Sequence, residues 1–217
     1  LNGVYLEAKD NAVSMIATDG HRLGKASIDQ EGANLSNGAI IPRKALQHIL
    51  HMAKSDATIE VRTSATHILF DTGSMQVISK LYEGPYPNYR AVIPQHFERT
   101  VQANTVELQN KLRSVLPMAN TRTRKVRLQM DGNTMELSAT DPDVGGTCTE
   151  ALAVTHQGEG QFSIGFNGQY LAEILGMCKS EEVVMKMNNP IGACIIEPVG
   201  DGFSFNFLLM PTHLVDD

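Results

Sequence analysis

Apolar and polar positions alternate along most of this chain, in short runs that read as strands. Val4–Ala8 and Val13–Thr18 are two such runs, split by the turn signal Lys9-Asp10-Asn11. Leu23–Ile28 is a third, followed by a Gly-containing loop, Gln30–Gly38. Ala39-Ile40-Ile41 is a short fourth strand. Pro42 then suits the first helical position, where its missing N–H costs nothing. From there the apolar period lengthens to about 3.6 residues: Ala45, Leu46, Ile49, Leu50 and Ala53 share one helix face, opposite Arg43, Lys44, His48 and His51. Ile59–Arg62, His67–Asp71 and Met75–Leu81 return to strand spacing. Tyr82–Pro94, with three prolines and a glycine, reads as a connector.

The second half follows the same grammar. A strand around Thr100–Ala103 leads to Asn104 or Thr105 as a helix cap, and Leu108, Leu112, Val115 and Leu116 form the buried stripe of that helix. Strands follow at Val126–Met130, Met135–Thr140, Thr147–Thr155 and Gln161–Gly165. Asn167 caps a second helix with Tyr170, Leu171, Ile174, Leu175 and Cys178 on its apolar face. Strands near Val183–Met187, Ala193–Glu197 and Phe203–Leu209 close the chain.

The two halves are copies of one module. Val4–Asp19 aligns with Val126–Asp141 without a gap, and Val4/Val126, Leu6/Leu128, Asn11/Asn133 and Ala17-Thr18-Asp19/Ala139-Thr140-Asp141 are identical. Ile49-Leu50-His51-Met52 likewise matches Ile174-Leu175-Gly176-Met177. The unit is strand, helix, then three strands. The second half shows it twice; the first half shows three strands of one unit and then a whole one, so a helix and a strand are expected before Leu1. The expected fold is α+β with antiparallel sheets, in two domains, 1–98 and 99–217. The copies diverge after the shared Asp, as Gly20-His21-Arg22-Leu23 against Pro142-Asp143-Val144-Gly145.

Composition narrows the classes. No apolar run approaches the roughly 18 residues that span a bilayer, so no membrane partner is expected. Three scattered cysteines without a CxxC pair read as small core residues in a reducing compartment, here the cytoplasm. The net charge is −6, yet Lys111, Arg113, Arg122, Arg124, Lys125 and Arg127 lie together with no acid between Lys111 and Arg127. Such a patch on an acidic body meets a polyanion locally; composition alone equally allows a solvated helix face and turn.

No nucleotide-binding loop, zinc-protease motif or nucleophile elbow is present. Asp19, His21 and Asp141 suggest a metal-dependent nucleic-acid hydrolase as the rival reading. However, Asp19 and Asp141 occupy equivalent places in different copies, and no catalytic residue, metal or cofactor is assigned.

Ala17-Thr18-Asp19-Gly20-His21-Arg22-Leu23, Ile41-Pro42-Arg43-Lys44, Tyr86-Pro87-Asn88-Tyr89-Arg90 and the ending Met210-Pro211 together resemble the bacterial DNA polymerase III β sliding clamp family. The resemblance covers most of that family's second domain and all of its third. It implies the DNA-clamp fold, with antiparallel sheets outside and helices lining one face, and a non-catalytic ring, a homodimer of the full-length chain, around double-stranded DNA. Arg43, Lys44, Lys111 and Arg113 would face the DNA.

The resemblance further implies a pocket between the last two domains for Gln-Leu-x-Leu-Phe-like peptides of the DNA polymerase III catalytic subunit, the clamp loader, other polymerases and repair proteins. The matching positions are Leu1, Thr18, Gly20, His21, Arg22, Leu23, Pro87 and Val92, with Asn167, Tyr170, Leu208, Leu209, Met210, Pro211 and Leu214. The family's usual Met-Pro-Met-Arg-Leu ending is here Met210-Pro211-Thr212-His213-Leu214, and Ala91 stands where some members carry Arg. Lacking the family's first domain, a chain of these 217 residues is expected to be a monomer that cannot close the ring.

Overall fold

The computed structural model describes residues 3–35, 38–53, 58–142, 145–200 and 204–214. The chain divides into two compact units: residues 1–20 with 25–88, and residues 21–24 with 89–217.

In the first unit β1 (Val4–Lys9) and β2 (Ala12–Thr18) form a hairpin. Asp10 and Asn11 take positive φ, 54° and 60°, as a two-residue turn requires for its twist to match the strands. That pins Lys9 opposite Ala12 and lengthens both strands beyond the sequence expectation. With β3 (Arg22–Asp29) and β4 (Ala39–Ile41), the order is β3-β2-β1-β4. Helix α1 (Arg43–Met52) starts after Pro42, which acts as the N-cap residue but supplies no side-chain cap. A second sheet holds β5 (Glu60–Thr63), β6 (His67–Asp71) and β7 (Gln76–Lys80) in that order, and α1 packs against β7. The core is small: Leu6, Ile41, Ala45, Ile49, Ile68 and Phe70.

In the second unit β8 (Arg99–Asn104) runs into α2 (Thr105–Val115). Asn104 Oδ1 accepts from the Glu107 N–H at 3.0 Å, and Glu107 places a carboxylate in the first turn, where the helix dipole favours it. Strands β9 (Lys125–Asp131), β10 (Thr134–Asp141), β11 (Gly146–Ala153) and β13 (Phe162–Asn167) make a sheet ordered β11-β10-β9-β13. Strand β12 (Thr155–Gln157) leaves that sheet and pairs with β8, so the run expected as one strand, Thr147–Thr155, is broken. Buried Val154 sits at the break, its N–H donating to the Asn133 carbonyl. Helix α3 (Gly168–Met177) precedes β14 (Glu182–Met187), β15 (Cys194–Pro198) and β16 (Ser204–Leu209). Their sheet runs β12-β8-β14-β15-β16, with the opening residues of β3 beside β16. Helices α2 and α3 pack on each other over a continuous core that includes Leu108, Leu112, Leu128, Phe166, Leu171 and Leu175.

The internal repeat holds at the level of register. Val4, Tyr5 and Leu6 oppose Ile41, Ile40 and Ala39; the aligned Val126, Arg127 and Leu128 oppose Phe166, Gly165 and Ile164. It also extends past the last strand of each unit. The Tyr82 N–H donates to the Ile40 carbonyl at 2.9 Å, and the Thr212 N–H donates to the Gly165 carbonyl at 2.8 Å. Each forms an isolated antiparallel bridge. The connector after β7 and the tail after β16 therefore leave by equivalent paths.

Two further expectations fail: Pro42 is the N-cap and not the first helical residue, and Leu50 is not buried. Leu50 was placed on the apolar face of α1 but is 79% exposed, while its counterpart Leu175 is fully buried. Helix α2 packs on α3 and Gln109 Nε2 donates to the Leu175 carbonyl at 2.6 Å. Among the described residues of the first unit no helix does this for α1.

Candidate peptide-binding site

In the first unit, Gly20 adopts φ +92°, a conformation that costs a glycine little. Its N–H donates to Thr18 Oγ1 at 3.2 Å. The connector is fastened nearby: Tyr86 stacks on Tyr5 with ring centroids 4.7 Å apart, and its hydroxyl donates to the Ile16 carbonyl at 3.2 Å. Burial raises the Tyr86 pKa above the ordinary phenol value, against the lowering effect of a backbone bond at Thr18. Pro87 follows directly, and is exposed.

In the second unit, His21 and Arg22 meet helix α3 and the tail. The Met210 N–H donates to the His21 carbonyl at 2.9 Å. The Arg22 guanidinium lies 4.3 Å from the Tyr170 ring centroid, and its Nη1 donates to Glu173 Oε2 at 2.6 Å. His21 stacks loosely on the same Tyr170, at 6.3 Å between centroids. An ion pair this exposed contributes roughly 0–1 kcal/mol. Its effect is geometric: it clamps the guanidinium flat and neutralises it, so the site offers a planar wall rather than a free cation. Leu23 is buried beside them.

Asn167 caps α3, its Oδ1 accepting from the Gln169 and Tyr170 N–H groups at 3.0 and 3.3 Å. That oxygen is thus engaged by the helix, leaving the amide NH2 for a ligand. Leu208 and Leu209 are buried, Leu209 within the core, whereas Met210 is exposed and Pro211 and Leu214 half-buried. Val92 is exposed at the end of a 3₁₀ turn, Tyr89–Val92. Leu1 lies outside the described residues.

Two participants escaped the sequence reading. Glu173 pairs with Arg22 across 151 positions, which no local pattern signals. Gly165 did leave a trace, as a glycine inside a strand often marks close backbone approach: a Cβ there would stand 2.9 Å from both Leu214 Cδ2 and the Thr212 carbonyl oxygen. Thr212 Oγ1 is buried and finds no hydrogen-bond partner among the described residues.

The four basic residues expected to face DNA divide. Arg43 and Lys44 are exposed in the first turn of α1 and Arg113 in the last turn of α2. Lys111 instead holds Glu150 Oε2 at 2.8 Å, both half-buried, and that bond raises its pKa above the ordinary lysine value. For the rival hydrolase, no group of three metal-ligating side chains occurs among the described residues. Asp141 is buried and accepts from Asn120 Nδ2 at 3.3 Å.

Comparison with known proteins identifies the class. Residues 1–88 match the family model for the DNA polymerase III beta subunit, central domain, and residues 90–213 that for its C-terminal domain. The chain belongs to the DNA polymerase III beta subunit family, and its antiparallel sheets and few helices are the α+β clamp fold. Among curated relatives, the beta sliding clamp of Escherichia coli K12 is 29% identical over 215 residues and that of Haemophilus influenzae 27% over 215. Each alignment covers 99% of this chain but 58% of the relative's length. The crystal structure of the Pseudomonas aeruginosa beta subunit matches with a TM-score of 0.92 at 26% identity, over 99% of this chain and 59% of that one. A Bartonella birtlesii sliding clamp bound to griselimycin matches at 0.89 with 29% identity, over 98% of this chain and 58% of that one.

Proposed function

We propose that this chain supplies the central and C-terminal domains of a DNA sliding clamp, a non-catalytic cytoplasmic processivity factor. In this reading the full-length protein encircles duplex DNA as a homodimer and tethers replication and repair proteins. They bind by Gln-Leu-x-Leu-Phe-like peptides at Thr18, Gly20, His21, Arg22, Leu23, Pro87, Val92, Asn167, Tyr170, Met210, Pro211 and Leu214, with Leu208 and Leu209 as a buried floor. The observation that carries the reading is the His21-Arg22 clamp on Tyr170, Glu173 and Met210, built from the sequence that only the first copy of the module possesses. Arg43 and Lys44 support the DNA arm. Two cations and no acid in the first turn of α1 oppose the helix dipole, a choice that local stability does not favour but phosphate contact does.

An apolar anchor in such a site contributes roughly 1.5–3 kcal/mol, and two or three, less ordering costs, suit a micromolar exchangeable complex. Calorimetry with a Gln-Leu-x-Leu-Phe peptide is the test. Leu214→Ala with Pro211→Ala is expected to weaken binding about tenfold or more, or ~1.4 kcal/mol or more, with the melting temperature nearly unchanged. Full affinity in that variant would refute the assignment. Griselimycin, present in the Bartonella birtlesii structure, is a second probe.

A further inference from the structure

The outer face of the β9-β10-β13 sheet carries a groove of about 800 Å³, lined by Arg122, Lys125, Arg127, Ser138, Thr140 and Leu214 among others, with no acid among its described lining residues. None of the three cations forms an ion pair within 4 Å among the described residues; Arg127 only donates to Ser163 Oγ at 3.1 Å. Lys111, Lys186 and Arg22 in the same unit all hold carboxylates, and residues 101–217 carry fourteen acids to eight bases.

The repeat shows what covers such a face. Arg127, Ser138 and Thr140 align with Tyr5, Ile16 and Thr18. In the first unit that surface is covered by an extended stretch of the connector, with Tyr86 stacked on Tyr5 and bonded to the Ile16 carbonyl. In the second unit the corresponding tail bridges Gly165 through Thr212 and lines the groove with Leu214, and the aromatic Tyr5 is replaced by the guanidinium of Arg127.

We propose that this groove binds an extended acidic segment of a partner protein, laid along the sheet as the connector lies in the first unit, with carboxylates on Arg122, Lys125 and Arg127. Nucleic acid fits the lining less well. Single strands rely on aromatic platforms, and the groove's one aromatic, Phe162, is buried beneath Arg99, 4.8 Å from its ring centroid. The groove shares Leu214 with the proposed peptide site but takes its charge from Arg122, Lys125 and Arg127, so loss of acidic-peptide binding in their variants is distinguishable from loss of Gln-Leu-x-Leu-Phe binding in Leu214→Ala.

The probe is a fluorescent Glu/Ser peptide of roughly 12 residues, enough for an extended segment at about 3.3 Å each, titrated into the full chain by anisotropy. Binding at low salt that weakens as salt rises is expected. Each of Arg122→Ser, Lys125→Ser and Arg127→Ser should reduce affinity roughly 3- to 5-fold, and the triple variant ~30-fold or more. Lys179→Ser, exposed and outside the groove, should leave it unchanged. Equal binding by the triple variant, or no binding at low salt, would overturn the proposal. So would tighter binding of a single-stranded oligonucleotide lost in the same variants, which would assign the groove to nucleic acid. Peptide binding that appears only after residues 215–217 are removed would assign it to the chain's own acidic end.

Discussion

The two units use one sequence module, yet the second buries it far more completely than the first. Pairing is the same in both: Val4 opposite Ile41, Val126 opposite Phe166. Burial is not. Ile49 and Ile174 are both buried, but Leu50 is exposed where Leu175 is not. The outer edge of β14 is paired with β8, while among the described residues its counterpart β5 pairs only with β6, and all four of its residues are exposed. Local sequence thus sets register, since a one-residue slip would turn every core side chain outward. How much a face contributes depends on what packs against it.

The largest expected break of this comparison is Leu175→Ala against Leu50→Ala. Removing the buried side chain should cost about 2–5 kcal/mol, while the exposed one should stay within about 0.5 kcal/mol. Urea denaturation of both variants measures it, and equal losses would show that α1 is covered in solution.

A smaller effect is expected at the equivalent pair Gly165 and Ile40. Gly165→Ala pushes a Cβ against the Thr212 carbonyl oxygen, which as backbone cannot rotate aside; overpacking of this kind costs roughly 1–3 kcal/mol. Amide exchange at Thr212 should quicken in that variant, whereas Ile40→Ala should leave the Tyr82 amide protected.

The smallest effect is acid sensitivity. Asp71 has its pKa lowered first by the Gly73 backbone N–H and then by Gln76; Glu60 has its pKa lowered chiefly by its hydrogen bond to Arg62. Carboxylates depressed in the folded state stabilise fully above their unfolded pKa and lose that contribution as pH falls through the folded one. The β5-β6-β7 sheet should therefore loosen at pH values below the ordinary carboxylate range. Asp71→Asn should flatten that dependence, as read from amide exchange in β6 against pH.

Much of this was legible along the chain. The Asp10-Asn11 turn, the Asn104 and Asn167 caps, the helix stripes and the duplication are local or periodic signals, carried by backbone preferences and by one-sided burial. Strand β12 was not, because Val154 breaks a run whose alternation looks continuous and sends it to another sheet. The site was legible only in part. Gly20-His21-Arg22-Leu23 stood out as the divergence between copies. Glu173, the burial of Leu208 and Leu209, and the engagement of Asn167 Oδ1 all depend on neighbours distant in the chain.

By itself, then, the sequence determined the repeated unit, its hairpin registers and its helix caps, because these follow from interactions within a hairpin or a helical turn. Only the tertiary structure decided that Arg22 holds Glu173 while Arg122, Lys125 and Arg127 form no ion pair among the described residues, and that Leu175 is core while Leu50 is surface. Charge pairing and burial are properties of what arrives from elsewhere in the chain, and identical local sequences are blind to that.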